Sequence, residues 1–140
     1  MTYYADLTPY TYDESDRDRL NVGWLDNGHP FPAGPADEEL GEALAHLLRF
    51  QVNVTRGMQP CVFCDRRFVE FTDGDGNTCL LGAGEIHVDG EDGAAFASPS
   101  LIVHYVTEHG YRPPEAFRRA ALEYARYYGH GMPSTAPGGR

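Results

Sequence analysis

Cys61-Val62-Phe63-Cys64 and His104-Tyr105-Val106-Thr107-Glu108-His109 are the stretches of sequence that decide the fold. Two cysteines with two residues between them suit a tight turn that directs both sulfur atoms at one ion, and His-x4-His lies within the spacing of finger-type sites. Two thiolates and two imidazoles can close a tetrahedral site around Zn²⁺. The sequence therefore predicts a zinc ion with four protein ligands: Cys61, Cys64, His104 and His109.

The number of ligands decides what such a zinc ion does. Four protein ligands leave no coordination position open, and a closed site is structural, whereas a catalytic zinc keeps a position for water. The alternative is a small zinc-dependent enzyme, a hydrolase or deaminase-like protein, with an open metal position and Glu108 or Glu85 as general base. In zinc deaminases His-x-Glu comes before Pro-Cys-x-x-Cys, but here Pro60-Cys61-Val62-Phe63-Cys64 precedes the histidines. This order favours a structural zinc ion.

A second interpretation of the same residues involves no metal. Cys61 and Cys64 would be buried thiols. His104 would be a core histidine, and His109 would favour the negative end of its helix dipole. Cys-x-x-Cys also serves thiol redox proteins, but those need a thioredoxin-like βαβ context, which the hairpin-rich surroundings do not supply. The third cysteine, Cys79, lies on a predicted strand and is interpreted as a small core residue.

Length and cysteine count limit the class of protein. A chain of 140 residues is long enough for one domain with a real core. Its three cysteines are an odd number, which fits a reduced compartment better than a secreted disulfide framework. Residues 1–6 lack the basic region and apolar run of a signal peptide, and no apolar stretch approaches the roughly 20 residues that span a bilayer. We therefore expect a cytoplasmic protein with no membrane segment.

The charge of the chain restricts its partners. Lys and Arg number 11 against 21 Asp and Glu, so the formal net charge is −10. Most of such a surface repels a phosphate backbone, and direct nucleic-acid binding is disfavoured on this ground. The acidity either serves solubility or masks a basic partner. With no catalytic set evident, we expect a non-enzymatic binding module, such as an inhibitor or immunity-like protein that covers a basic protein.

Three segments have helical patterns. The first follows the acidic turn 37–39, which suits the helix dipole, and carries an apolar stripe through residues 40–48. The second is predicted over Ser100 to His109, with Ser98-Pro99 as N-cap and first helical residue and Gly110 as the stop. The third is predicted over Glu115 to Tyr128. The tail, residues 129–140, is rich in Gly, Pro, Ser and Thr, and we expect it to be disordered.

Strand patterns dominate the middle of the chain. Residues 20–25 are a candidate strand, and from Arg67 to Phe96 the apolar period is two, with turns at 72–77 and 89–93. Gly82-Ala83-Gly84 is interpreted as a bulge. We therefore predict one α+β domain over residues 1–128, in which a small antiparallel sheet, a meander of hairpins, packs with two or three helices. The order of a Cys-x-x-Cys turn, a hairpin and a helix makes the zinc-stabilised fold partly treble-clef-like.

Four phrases of the sequence resemble a family of small, uncharacterised bacterial proteins. They are Tyr3-Tyr4-Ala5-Asp6-Leu7-Thr8-Pro9-Tyr10, Asn21-Val22-Gly23-Trp24-Leu25, Gly84-Glu85-Ile86 and His104-Tyr105-Val106-Thr107-Glu108-His109-Gly110-Tyr111-Arg112-Pro113-Pro114. The similarity extends over nearly the whole chain to about Phe117. The resemblance implies a stand-alone bacterial domain with a zinc site formed by the same cysteines and histidines, and it implies no particular activity or substrate.

Overall fold

Four of the five strands follow one another in the middle of the chain in the computed structural model, which describes residues 3–11, 17–64, 66–90 and 92–129. Within these ranges the chain forms three α-helices and five strands, so the predicted α+β class is confirmed. The helices are α1 (Glu38–Leu47), followed by a 3-10 turn (Leu48–Phe50), α2 (Ile102–Glu108) and α3 (Glu115–Gly129). The strands are β1 (Leu20–Asn21), β2 (Val69–Thr72), β3 (Thr78–Leu81), β4 (Glu85–Asp89) and β5 (Ala95–Pro99).

Helix α1 begins where the acidic turn predicts. The Asp37 side chain accepts a hydrogen bond from the Leu40 backbone N–H at 3.1 Å, which satisfies one of the free donors of the first turn. The same carboxylate accepts a hydrogen bond at 2.7 Å from Nε of Arg118 on α3. Leu40 and Leu44 of α1 are fully buried, as is Phe117 of α3. One apolar stripe and two ion pairs of Arg118, with Asp37 and with Glu39, therefore join the two helices.

The strands form two sheets rather than one meander. In the three-stranded sheet, β5 lies between β4, which is antiparallel to it, and β1, which is parallel to it, so this sheet is mixed rather than purely antiparallel. Strands β2 and β3 form a separate hairpin. The chain leaves the hairpin at Gly82, which has φ of 107°, and a Cβ there would lie 2.6 Å from the carbonyl oxygen of Gln59. This left-handed residue diverts β4 away from β3.

Helix α2 starts later than predicted. Ser98 and Pro99 do not cap the helix, because they pair with Ile86 and Glu85 in the β4–β5 ladder. Strand β5 therefore runs through Pro99, and α2 begins at Ile102. The predicted stop is confirmed, since α2 ends at Glu108 and Gly110 has φ of 68°.

The core lies between the three-stranded sheet and the helices. The rings of Phe96 on β5 and Phe117 on α3 meet edge to face with centroids 5.5 Å apart. Helix α3 matches the predicted segment to within one residue, and residues 130–140 of the predicted disordered tail lie outside the described residues. Within the described part of the chain, no helix has both the length and the apolar character needed to cross a membrane.

Candidate metal centre

The two cysteines lie on a short turn between the 3-10 helix and β2. Cys61 is buried with 3% of its surface exposed, and Cys64 is partly buried. The backbone N–H of Phe63 donates to Sγ of Cys61 at 3.4 Å, an arrangement that holds the sulfur inside the turn. This turn, residues 61–64, is called the knuckle below.

Two hydrogen bonds connect the knuckle to the beginning of α2. The Gln59 backbone N–H donates to the carbonyl oxygen of Gly82 at 2.9 Å. The Gly82 backbone N–H in turn donates to Oγ of Ser100 at 2.8 Å. Because Gln59 comes just before the knuckle and Ser100 just before α2, these bonds set the distance between the cysteines and the helix.

Helix α2 supplies both histidines. His104, in its first turn, is 2% exposed, and His109 occupies the C-cap position, where its backbone N–H donates to the carbonyl oxygen of Tyr105 at 3.2 Å. The chain after His109 is fixed by Gly110, since a Cβ at that position would lie 2.4 Å from the Gly34 carbonyl oxygen. The Gly34 backbone N–H also donates to the carbonyl oxygen of Gly110 at 2.8 Å.

The four predicted ligand residues meet at one point. Sγ of Cys61 lies 3.4 Å from Nε2 of His109, and Sγ of Cys64 lies 3.5 Å from Nε2 of His104. The two Nε2 atoms are 3.1 Å apart, and all four ligand atoms lie within 4.8 Å of one another. Zinc–sulfur and zinc–nitrogen bond lengths imply edges of about 3.3–3.8 Å for a tetrahedron with two sulfur and two nitrogen ligands. The cluster could therefore hold a metal ion.

Burial keeps the histidines in the form that binds metals. It lowers the pKa of His104 to about 4, and the neighbouring His109 and Arg66 act in the same direction while Glu108 opposes them. Burial also lowers the pKa of His109. Both imidazoles are therefore neutral near pH 7 and can offer a lone pair to an ion.

Burial has the opposite effect on Cys61, because it disfavours the form of the side chain that binds metals. Burial raises the pKa of the Cys61 thiol, and the neighbouring Cys64 raises it further, against hydrogen bonds from the Phe63 and Cys64 backbone. The thiolate that a metal needs is thus disfavoured by the protein alone. A bound cation would supply the missing stabilisation, so metal binding would displace the thiol proton.

An aromatic wall covers one side of the cluster. The Phe63 ring lies 5.4 Å from the His109 ring and 5.6 Å from the Tyr105 ring, and Phe31 packs against it at 5.3 Å, all as centroid distances. Sequence reasoning missed Phe31 and Phe63. The position of Phe63 between the two cysteines was an available signal, whereas nothing local connects Phe31, on a proline-rich loop, to the knuckle.

The other predicted site residues are divided between the cluster and the rest of the molecule. Glu108 is exposed and close enough to act on the pKa of both ligand histidines. Glu85 instead hydrogen-bonds to Tyr10, Asn53 and His87, so this second candidate general base belongs to another polar cluster. Cys79 lies on β3 and packs against the core, as its interpretation predicted.

The fold and this cluster together define a small α+β protein with two cysteines and two histidines that could bind one metal ion. A family model matches residues 2–122, and the chain belongs to that family, described as Domain of unknown function (DUF7919). No curated protein and no solved structure matches the chain. The match covers the part of the chain over which the resemblance was expected. The bacterial origin and the family specificity of the quoted phrases stay predictions.

Proposed function

We propose that the chain is a small acidic zinc-binding protein in which Cys61, Cys64, His104 and His109 hold one structural Zn²⁺. The proposal rests on the closeness of the four ligand atoms: three of the distances between them are 3.1–3.5 Å, near the edges of about 3.3–3.8 Å of a tetrahedral zinc site. Two thiolates and two imidazoles are a ligand set that suits zinc. The ion would hold the knuckle against α2 and would leave no position for a substrate.

Elemental analysis of protein purified without chelator tests the metal. We expect about one zinc per chain, and we expect Cys61→Ser protein, purified in parallel, to contain almost none. The Cys79→Ser protein is the matched control, because Cys79 is a free cysteine outside the cluster. Wild-type protein without metal would exclude a resident zinc ion.

We further propose that the protein acts as a non-enzymatic module that binds a basic protein partner in the cytoplasm. The net charge of −10 supports this, because a strongly acidic surface accelerates encounter with a basic one. An inhibitor or immunity-like protein that covers a basic surface is the form of partner binding that this charge suits best.

A zinc-dependent enzyme is the second candidate, and the position of Glu108 favours it. This exposed carboxylate lies at the C-terminal end of α2, within electrostatic reach of both histidines. It could serve as a general base if one protein ligand gave way to water. The closeness of all four ligand atoms argues for the closed, structural site instead.

Affinity capture from the native host, followed by binding kinetics at two salt concentrations, separates the two candidates. The binding module would retain a basic protein whose association rate falls as salt rises, because screening shortens the reach of the charge. The enzyme would show turnover of a small substrate that Glu108→Gln abolishes, with no protein partner.

A further inference from the structure

A cleft of about 280 Å³ lies beside the hydrogen-bonded cluster of Tyr10, Asn53, Glu85 and His87, and none of the four metal-ligand candidates lines it. Its walls come from the N-terminal segment, the loop before the knuckle, the Gly82 turn and the beginning of α2. The residues that line the cleft include Tyr4, Trp24, Asn53, Glu85, Pro99 and Leu101. Glu85 is the single charged residue among the described residues that line the cleft. The volume is near the lower end of small-molecule pockets, roughly 300–1,000 Å³.

The two oxygen atoms of the Glu85 carboxylate have different surroundings in this cleft. The residue is 4% exposed, and its Oε1 accepts hydrogen bonds from the Tyr10 hydroxyl at 2.8 Å and from Nδ2 of Asn53 at 3.1 Å. Nε2 of His87 lies 2.9 Å from the same oxygen. Among the described residues, no group hydrogen-bonds to Oε2. One oxygen of a buried carboxylate is therefore held in place, and the other is left for a ligand.

Asn53 contributes a second acceptor. Its Nδ2 donates both to Glu85 and to the Tyr10 hydroxyl, at 3.1 and 3.2 Å, so the orientation of the side-chain amide is set by the network. Its Oδ1 makes no hydrogen bond within the described part of the chain. The backbone of Asn53 has φ of 53°, a left-handed conformation that asparagine adopts more readily than most residues. The cleft thus offers oxygen acceptors next to a negative charge.

The rest of the cleft is aromatic and apolar. The Tyr4 and Trp24 rings meet edge to face with centroids 5.5 Å apart, and the indole N–H of Trp24 donates to the Ala97 carbonyl oxygen at 3.0 Å, which fixes the ring. Pro99 and Leu101 add apolar surface. Acceptor atoms with one negative charge suit a ligand that only donates, and aromatic rings attract cations.

We propose that this cleft binds the alkylammonium group of an organic amine. The ammonium donates to Oε2 of Glu85 and Oδ1 of Asn53, and the carbon chain of the amine lies against Trp24. An anionic ligand is disfavoured because it would lie against the Glu85 carboxylate, the single charged group among the described residues that line the cleft. This inference rests on neither the metal centre nor a protein partner. It and the proposed function can therefore fail independently of each other.

Trp24 provides the measurement, because it is the only tryptophan of the chain and lines the cleft. Full-length protein is titrated with benzylammonium and with benzyl alcohol, its neutral analogue of similar shape, under excitation selective for tryptophan. We expect a saturable change with benzylammonium and about tenfold weaker binding, or less, of the alcohol, since a hydrogen bond to a charged group is lost. Equal binding of the two probes, or no response to the amine, would overturn the proposal.

Two variants locate the binding. Glu85→Gln keeps the side-chain volume and removes the charge, and we expect it to weaken benzylammonium about tenfold or more. The matched control is Glu70→Gln, since Glu70 is exposed on the β2–β3 hairpin, and its affinity should equal that of the wild type. If Glu85→Gln fails to fold, Ala83→Leu fills the cleft while keeping the carboxylate and should abolish binding. Unchanged affinity in a folded Glu85→Gln or Ala83→Leu protein would refute the site.

A second pair of probes distinguishes a lysine side chain from a free amine as the source of the ammonium group. Nα-acetyl-lysine amide carries the side chain that a protein would present, and its Nε-acetylated form lacks the charge. Binding of the charged form supports a lysine side chain as ligand, whereas binding of benzylammonium alone supports a free amine. Displacement of benzylammonium by Ca²⁺ or Zn²⁺ at equal concentration would show a metal-ion site instead and contradict the proposal.

Discussion

The segment that contains the knuckle and the pair formed by α1 and α3 are held together in different ways. Residues 51–64 contain no helix or strand beyond one isolated bridge between Val52 and Glu85, and Cys61 is the one buried residue of this fully described segment. Helices α1 and α3 instead bury leucines and a phenylalanine against each other and the sheet. Apolar burial is extensive between the helices, whereas in residues 51–64 only Cys61 is buried in the core, with Phe63 and Cys64 packed against it. A metal ion bound by the four ligand candidates would hold this segment where the core ends.

Loss of a metal ligand should have the largest effect on stability and should act on residues 51–64. We expect Cys61→Ser to cost about 5 kcal/mol, because structural zinc binding is coupled to folding, and to lower the melting temperature by ~15 °C. Cys79→Ser should cost about 1 kcal/mol, since Cys79 is partly buried and lies outside the cluster. Calorimetry of the two proteins, with and without a chelator, makes the measurement. Equal melting temperatures for wild type and Cys61→Ser would show that residues 51–64 need no metal.

Loss of core volume should destabilise the packing of α1 and α3 against the sheet, and it should leave the metal in place. Phe117 is fully buried and packs against Phe96, so Phe117→Ala should cost about 3–4 kcal/mol through lost burial and the resulting cavity. Denaturant unfolding and zinc analysis of the same sample check the expectation. If Phe117→Ala also releases the zinc under native conditions, the two regions are not independent, and the comparison fails.

The ion pair between Asp37 and Arg118 should give the smallest effect, and one that depends on pH. Burial alone would raise the pKa of Asp37, but hydrogen bonds from Arg118 and from the Leu40 backbone lower it below its ordinary value of 3.8. An ionised Asp37 therefore stabilises the fold above that pH, and the contribution disappears as pH falls through the lowered pKa. Asp37→Asn should cost about 0.5 kcal/mol near pH 7 and nothing near pH 2.

The measurement for Asp37 is best made in the Cys61→Ser background, where release of metal at low pH cannot contribute. Glu39→Gln is the matched control, because Glu39 reaches the same Arg118 at 3.2 Å but is mostly exposed. Its cost should be smaller than that of Asp37→Asn. A cost for Asp37→Asn that does not change with pH would assign the effect to helix capping rather than to charge.

Local patterns predicted the elements better than their arrangement. The acidic turn at 37–39 and the apolar stripes gave α1 and α3, and the spacing of two cysteines and two histidines identified residues that do lie together. The parallel pairing of Leu20 with Phe96 depends on residues far apart in the chain, which no local period reveals. The start of α2 was misplaced for the same reason, because Ser98 and Pro99 are held by β4. Likewise, the bonds that join Tyr10, Asn53 and Glu85 form only in the folded protein.

X-ray absorption at the zinc edge of the purified protein tests the central claim most directly, because it counts the atoms bound to the ion. The closed structural site predicts two sulfur ligands at about 2.3 Å and two nitrogen ligands at about 2.0 Å. Absence of the zinc signal in Cys61→Ser protein, with the Cys79→Ser spectrum unchanged, would assign the signal to the cluster. A first shell with three protein ligands and a water oxygen, or one without sulfur, would contradict the claim that this metal holds the knuckle to α2.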